Sequence, residues 1–200
     1  MSILARRIQA RLDSIYGVET PDVTPFVRPA NDGREVLEVR EGDDGDLELA
    51  LYLPSEALAD ADATSLDLLC QVAEGVSHFV YIVERSRRGL PATQLELELQ
   101  AEVDKFVVLA ASVVASRPCR SFPAHTASAL RERLFGRVRF LHPEGTEPGE
   151  RYRLANSMAA RFVRSLEGRF GGAAGSWDTR HLRRFFESGQ REKIEMVLAA

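Results

Sequence analysis

Lysine is nearly missing from this chain: of its 26 basic residues only Lys105 and Lys193 are lysine, and the rest are arginine. That bias reads as the composition of a GC-rich bacterial genome. Cysteine is just as scarce. Cys70 and Cys119 are the two in 200 residues, and no pair stands in CxxC spacing. A cysteine-rich structural zinc site is thereby excluded, and a reducing compartment is the simpler reading. No unbroken apolar run approaches the roughly 20 residues that span a bilayer. Residues 1–17 also lack the continuous apolar centre of a secretory signal. A cytoplasmic location is expected. His-Glu-x-x-His and Gly-Lys-Ser/Thr are absent too, which removes the zinc-protease and phosphate-loop signatures.

What is present is ordinary for a globular protein, with 44% hydrophobic and 28% charged residues. A chain of this size buries a core without disulfide or metal staples. The pattern predicts a mainly α protein (α+β in the strict sense). It reads as an antiparallel helical bundle of about five helices, with one small β-hairpin near the N-terminus. We read residues 1–200 as a single domain: an amphipathic helix over 1–16, the hairpin over 34–53 and the bundle over 65–200.

Leu4, Ile8, Leu12 and Ile15 recur at helical spacing. Their helix is expected to dock on its own domain, although Arg6, Arg7 and Arg11 would also suit a membrane surface. Strict alternation through Leu47, Leu49, Leu51 and Leu53, facing Leu37 and Val39 across "GDDG", predicts the hairpin. "DVTPFV" is the candidate third strand. Asp44, Asp46 and Glu48 have calcium-ligand spacing, but the loop glycine and the closing glutamate are missing. From Ser65 the periodicity turns helical. One helix ends near Arg88 before "GLP", and a second opens at Thr93 with Glu96 in capping-box register. A third is expected over "ASALRERLFGRVRFL", a fourth over "RYRLANSMAARFVRSLEGRF", and a last one bends near Gly189. "GRFGGAAGSW" reads as a linker between helices, and Cys119 as a loop cysteine between two arginines.

The sharpest local feature is Glu74 and His78, one helical turn apart. A wheel places them with Asp67, Gln71 and Arg85 on a polar stripe, opposite Val72, Val76, Phe79 and Val83. As a solvated face, this is a helical pair of little consequence. If the next helix folds back, Glu102 comes level with His78, and Glu74, His78 and Glu102 form a candidate divalent-metal site. No cofactor is required otherwise. Gly75 breaks helical propensity within the stretch, so close approach of another backbone is expected there.

Charge is unevenly distributed. Residues 1–116 hold 10 basic and 21 acidic side chains, and residues 117–200 hold 16 and 9. Such polarity favours contact with an oppositely charged partner. The leading expectation is a non-enzymatic module that binds another protein or itself, with Arg153, Arg161, Arg164, Arg183 and Arg184 as contact residues. The alternatives are a metal-binding protein or metal-dependent enzyme at the Glu/His site, and nucleic-acid binding through the C-terminal arginines. The overall charge of −4 weakens the last of these.

Overall fold

The computed structural model describes residues 2–42, 47–59, 65–116, 122–167 and 179–200. The hairpin connection at 43–46 with its acidic spacing, Cys119, and the glycine-rich stretch at 168–177 lie outside them. The protein is mainly α with a small three-stranded sheet. Its residues group into two compact units, Met1–Pro91 and Ala92–Ala200.

In the first unit, α1 (Ile3–Tyr16) starts where the Ser2 hydroxyl accepts the Ala5 N–H and donates to the Ala57 carbonyl. It stops at Gly17, whose φ of 70° is left-handed and suits glycine. Ile8, Leu12 and Ile15 are buried as the spacing predicts, and α1 packs on α2 (Leu66–Arg87). Each such side chain contributes about 1.5–3 kcal/mol on burial. The proline-rich segment that follows is tied down by Gln9. Its amide donates to the Thr20 hydroxyl and the Pro21 carbonyl and accepts from the Val23 N–H.

β1 (Val27–Pro29), β2 (Val36–Glu41) and β3 (Leu47–Leu53) form one sheet in the order β1-β3-β2, with β1 parallel and β2 antiparallel to β3. The third strand thus falls a few residues beyond the start of "DVTPFV". Thr24–Phe26 takes a 3₁₀ turn, because the Asp22 carboxylate accepts both the N–H and the hydroxyl of Thr24 and turns the chain there.

By length and composition α2 is the one described helix that would suffice to cross a bilayer, which the reading of uninterrupted runs did not register. Asp67, Glu74, His78, Glu84 and Arg85 lie along it, and its apolar side packs on α1 and β3.

Asp13, near the end of α1, is half-buried. Desolvation lifts its carboxyl above the usual carboxylate range; Thr20 pulls it back through bonds of 3.0 and 3.1 Å, while Glu19 and Glu84 push it up. The folded state therefore holds this proton more tightly than the unfolded chain. Its contribution to stability is fullest below the ordinary value of 3.8 and is lost as pH rises through the raised one. Asp13→Asn is thus expected to raise the thermal midpoint at pH 7 and to lose that advantage near pH 4. An equal shift at both pH values would show that ionisation is not the cause.

In the second unit, α3 (Gln94–Ala115) opens with the expected capping box between Thr93 and Glu96. It packs on α5 (Glu147–Glu167), with α4 (Ala124–Arg131) and α7 (Gln190–Leu198) against them. α6 (Thr179–Glu187) supplies Phe185, whose ring stacks on Phe162 at 4.0 Å between centroids. The expected bend at Gly189 is the break between α6 and α7. The third predicted helix ends early. After Arg131 it widens into one π-turn over Glu132–Gly136 and does not continue through "RVRFL". Gly136 at the end of that turn is a weak helix former, and propensity there is not rescued by an apolar face.

Candidate functional site

The polar stripe of α2 is not the solvated face that the wheel suggests. Gln71, Glu74 and His78 are each half-buried, and Arg85 is buried. A Glu74 carboxylate oxygen and a His78 ring nitrogen lie within 4.8 Å of one another. Such a pair can share a proton or present two ligands to a cation. Arg85 has a local task. Its Nε and Nη2 both donate to the Pro91 carbonyl, at 2.9 and 2.6 Å, which closes the turn after α2.

Gly75 faces the sheet, and its role differs from the expectation of an approaching backbone. A Cβ there would stand 2.7 Å from Leu51 Cδ1 and 3.3 Å from Leu53 Cδ2. The missing side chain makes room for two leucines of β3. The helix therefore gives up propensity in exchange for close packing on the strand.

In the second unit, Glu102 is buried on α3, and Lys105 donates to it at 2.8 Å. Glu98, one turn earlier, is buried as well. The same unit carries a group that sequence reasoning missed. Lys193 on α7 has no exposed surface. Its Nζ donates to Gln100 Oε1 at 2.5 Å and to the Phe185 carbonyl at 2.6 Å, and lies 4.2 Å from the centre of the Phe185 ring. Gln100 Nε2 in turn donates to Asp104 at 2.9 Å. The available signal was position: Lys193 stands four residues before the buried Val197, in line with the apolar side of α7.

The five arginines expected at a contact surface divide. Arg153 is engaged within its own unit: it donates to the His142 and Gly149 carbonyls and lies 4.7 Å from the centre of the Phe140 ring. Arg161 is exposed and donates to the Leu198 carbonyl at 2.6 Å. Arg164, Arg183 and Arg184 are exposed on α5 and α6.

The hairpin presents a second surface. Cross-strand partners share a face, so Leu37, Val39, Leu47, Leu49, Leu51 and Leu53 all lie on one side. Burial fades outward along it. Leu51 and Leu53 are fully buried where Gly75 of α2 receives them, and Leu49 and Leu37 are half-buried. Val39 and Leu47 are 44% and 38% exposed. The apolar face is longer than the helix that covers it.

No protein-family model, no curated protein and no solved structure matches this chain. Fold and surfaces define its class: a mainly α protein with an appended three-stranded sheet, one end of whose apolar face is uncovered.

Proposed function

We propose that this protein is a cytoplasmic bacterial module that works by binding another polypeptide. One observation carries the reading: Val39, Leu47 and Leu49 form a contiguous apolar surface at the outer end of the hairpin. A sheet face left open in this way marks an interaction site more often than an idle surface. The exposed Arg161, Arg164, Arg183 and Arg184 supply charge for contacts with an acidic partner surface.

A photo-crosslinking residue placed at Val39 or at Arg164, in the cells that make the protein, tests this. Covalent adducts to a polypeptide are expected. Absence of any adduct from both positions overturns the reading.

A second reading keeps Glu74 and His78 as ligands of a divalent cation, on the strength of their approach within 4.8 Å. Stoichiometric metal in untagged protein, lost on His78→Ala, would establish it; metal-free protein that does not take up zinc would remove it.

A further inference from the structure

The loop before α5 is built more firmly than a connection requires. Residues 137–143 form neither helix nor strand, yet they are fastened to the first turns of α5. Arg153 Nη1 donates to the His142 carbonyl at 3.2 Å and to the Gly149 carbonyl at 2.9 Å. Its guanidinium lies 4.7 Å from the centre of the Phe140 ring. The Thr146 hydroxyl donates to the Pro143 carbonyl at 2.7 Å, and the Gly145 N–H donates to Glu150 at 2.8 Å. A side chain on Gly149 would collide with the Pro143 carbonyl, so the helix leaves room for the loop to seat on it.

Fastened in this way, the loop holds three features out to solvent. His142 is exposed, and its ring stacks on Tyr152 with 5.4 Å between centroids and 21° between planes. Tyr152 covers one face of the imidazole, and among the described residues no ring covers the other. Leu141, next in sequence, is 64% exposed. Arg133, Arg137 and Arg139 are exposed and make no ion pair with any described residue. No carboxylate stands between Arg133 and Glu144 in the sequence.

The net charge of the chain hides this surface. Ala92–Ala200 carries 17 basic and 13 acidic side chains. Four of the acidic ones, Glu96, Glu98, Glu102 and Asp104, are buried on α3, whereas Lys193 is the one buried basic residue described there. A ligand therefore meets a more positive surface on this unit than the sequence count suggests, and the overall −4 weighs less against an anionic one.

A simple anion would engage the arginines and leave the ring beside them unused. A flat neutral ligand would do the reverse. A nucleotide chain carries both a charged phosphate and a planar base, and unpaired strands offer their base faces for stacking. A duplex keeps those faces within its own stack.

We propose that residues 133–142 form a binding site for single-stranded nucleic acid, in which a base stacks on His142 and Arg133, Arg137 and Arg139 contact backbone phosphates. Leu141 gives the stacked base an apolar neighbour, and Tyr152 and Arg153 position the platform. The site belongs to the second unit and does not depend on the polypeptide reading.

The probes are fluorescein-labelled oligouridylate and oligothymidylate of about ten nucleotides, within the footprint of one single-strand module. They are titrated into the full chain at about pH 8, above the ordinary titration range of imidazole, and read by anisotropy. Both are expected to bind, more weakly as salt rises, and the tighter of the two tells RNA from DNA. His142→Ala is expected to weaken binding roughly tenfold through the lost stack, with the salt dependence unchanged. His142→Trp is expected to restore it. Arg137→Gln/Arg139→Gln is expected to weaken binding about tenfold or more and to reduce the slope of log affinity against log salt by about 1.4. All three positions are exposed, and an unchanged thermal midpoint confirms folding.

No binding of either oligonucleotide at low salt overturns the proposal. So does an equal loss in Arg164→Gln/Arg184→Gln, which removes the same charge elsewhere on the unit. A duplex of the same length that binds as tightly as the single strand removes the stacking role of His142 and overturns it too. Displacement by oligoglutamate as effective as by unlabelled oligonucleotide would reassign the surface to an acidic polypeptide.

Discussion

Lys193→Ala is expected to destabilise the second unit by about 3–5 kcal/mol, the range for breaking a buried charged group's contacts from one side. Gln100 Oε1 and the Phe185 carbonyl each lose the Lys193 donor, and the carbonyl keeps the Ser188 N–H at 3.3 Å. Each buried acceptor left unpaired costs about 1–3 kcal/mol. The lost stem also opens a space beside Phe185. Lys193→Met separates these contributions, since it keeps the stem and removes the charge. Replacing Lys193 together with its side-chain partners (Lys193→Met, Gln100→Leu, Asp104→Leu) is expected to recover part of the loss, because the Gln100 and Asp104 polar groups leave with the charge they serve. Amide exchange in α3 and α7 of the full chain, read across a urea series, reports the unit that contains the network. A loss below about 1 kcal/mol for the alanine variant would mean that water reaches the site and that the network is not dry.

Gly75→Ala carries the second large effect, and its sign runs against propensity. In an open helix the change gains about 1 kcal/mol. Here the new methyl would sit 2.7 Å from Leu51 Cδ1 and 3.3 Å from Leu53 Cδ2, both on side chains without exposed surface. Overpacking of this kind costs about 1–3 kcal/mol, so a net loss of about 1 kcal/mol is expected. Gly75→Leu should cost several times more. Leu51→Ala by itself loses about 2–5 kcal/mol through its cavity. Combined with Gly75→Ala it should lose less than the sum of the two, since the added methyl occupies part of the vacated space. Additive losses in that cycle would show that the two residues do not meet.

Much of the architecture was legible. Helix periods and caps located α2, α3, the end of α2 before "GLP" and the break at Gly189, because these depend on local hydrogen bonding and on one apolar face. The hairpin followed from alternation through Leu47–Leu53 for the same reason. The early end of α4 was missed. Its continuation through "RVRFL" looked helical by composition, yet Val138 and Leu141 are exposed and form no buried apolar face to hold a helix. β1 was displaced because its pairing with β3 is parallel and non-local, and no turn signal announces it.

For the candidate site the boundary runs between position and cover. Glu74 and His78 were found as a pair because helical spacing alone brings residues four apart together. That their stripe is half-buried was not readable, since burial depends on elements far away in sequence. Gly75 announced a close approach, but only the fold showed Leu51 and Leu53 arriving instead of a backbone. Lys193 was passed over because a lysine in sequence reads as solvent-facing. Only tertiary structure could set it among Gln100, Phe185 and the apolar side of α7. By itself the sequence determined helix ends, strand alternation and the charge polarity of the chain, all products of neighbours within a few residues. Which polar groups are dry, which glycine admits a leucine and how far the sheet's apolar face outruns its cover were decided by tertiary packing. Each of these depends on atoms brought together across long stretches of chain.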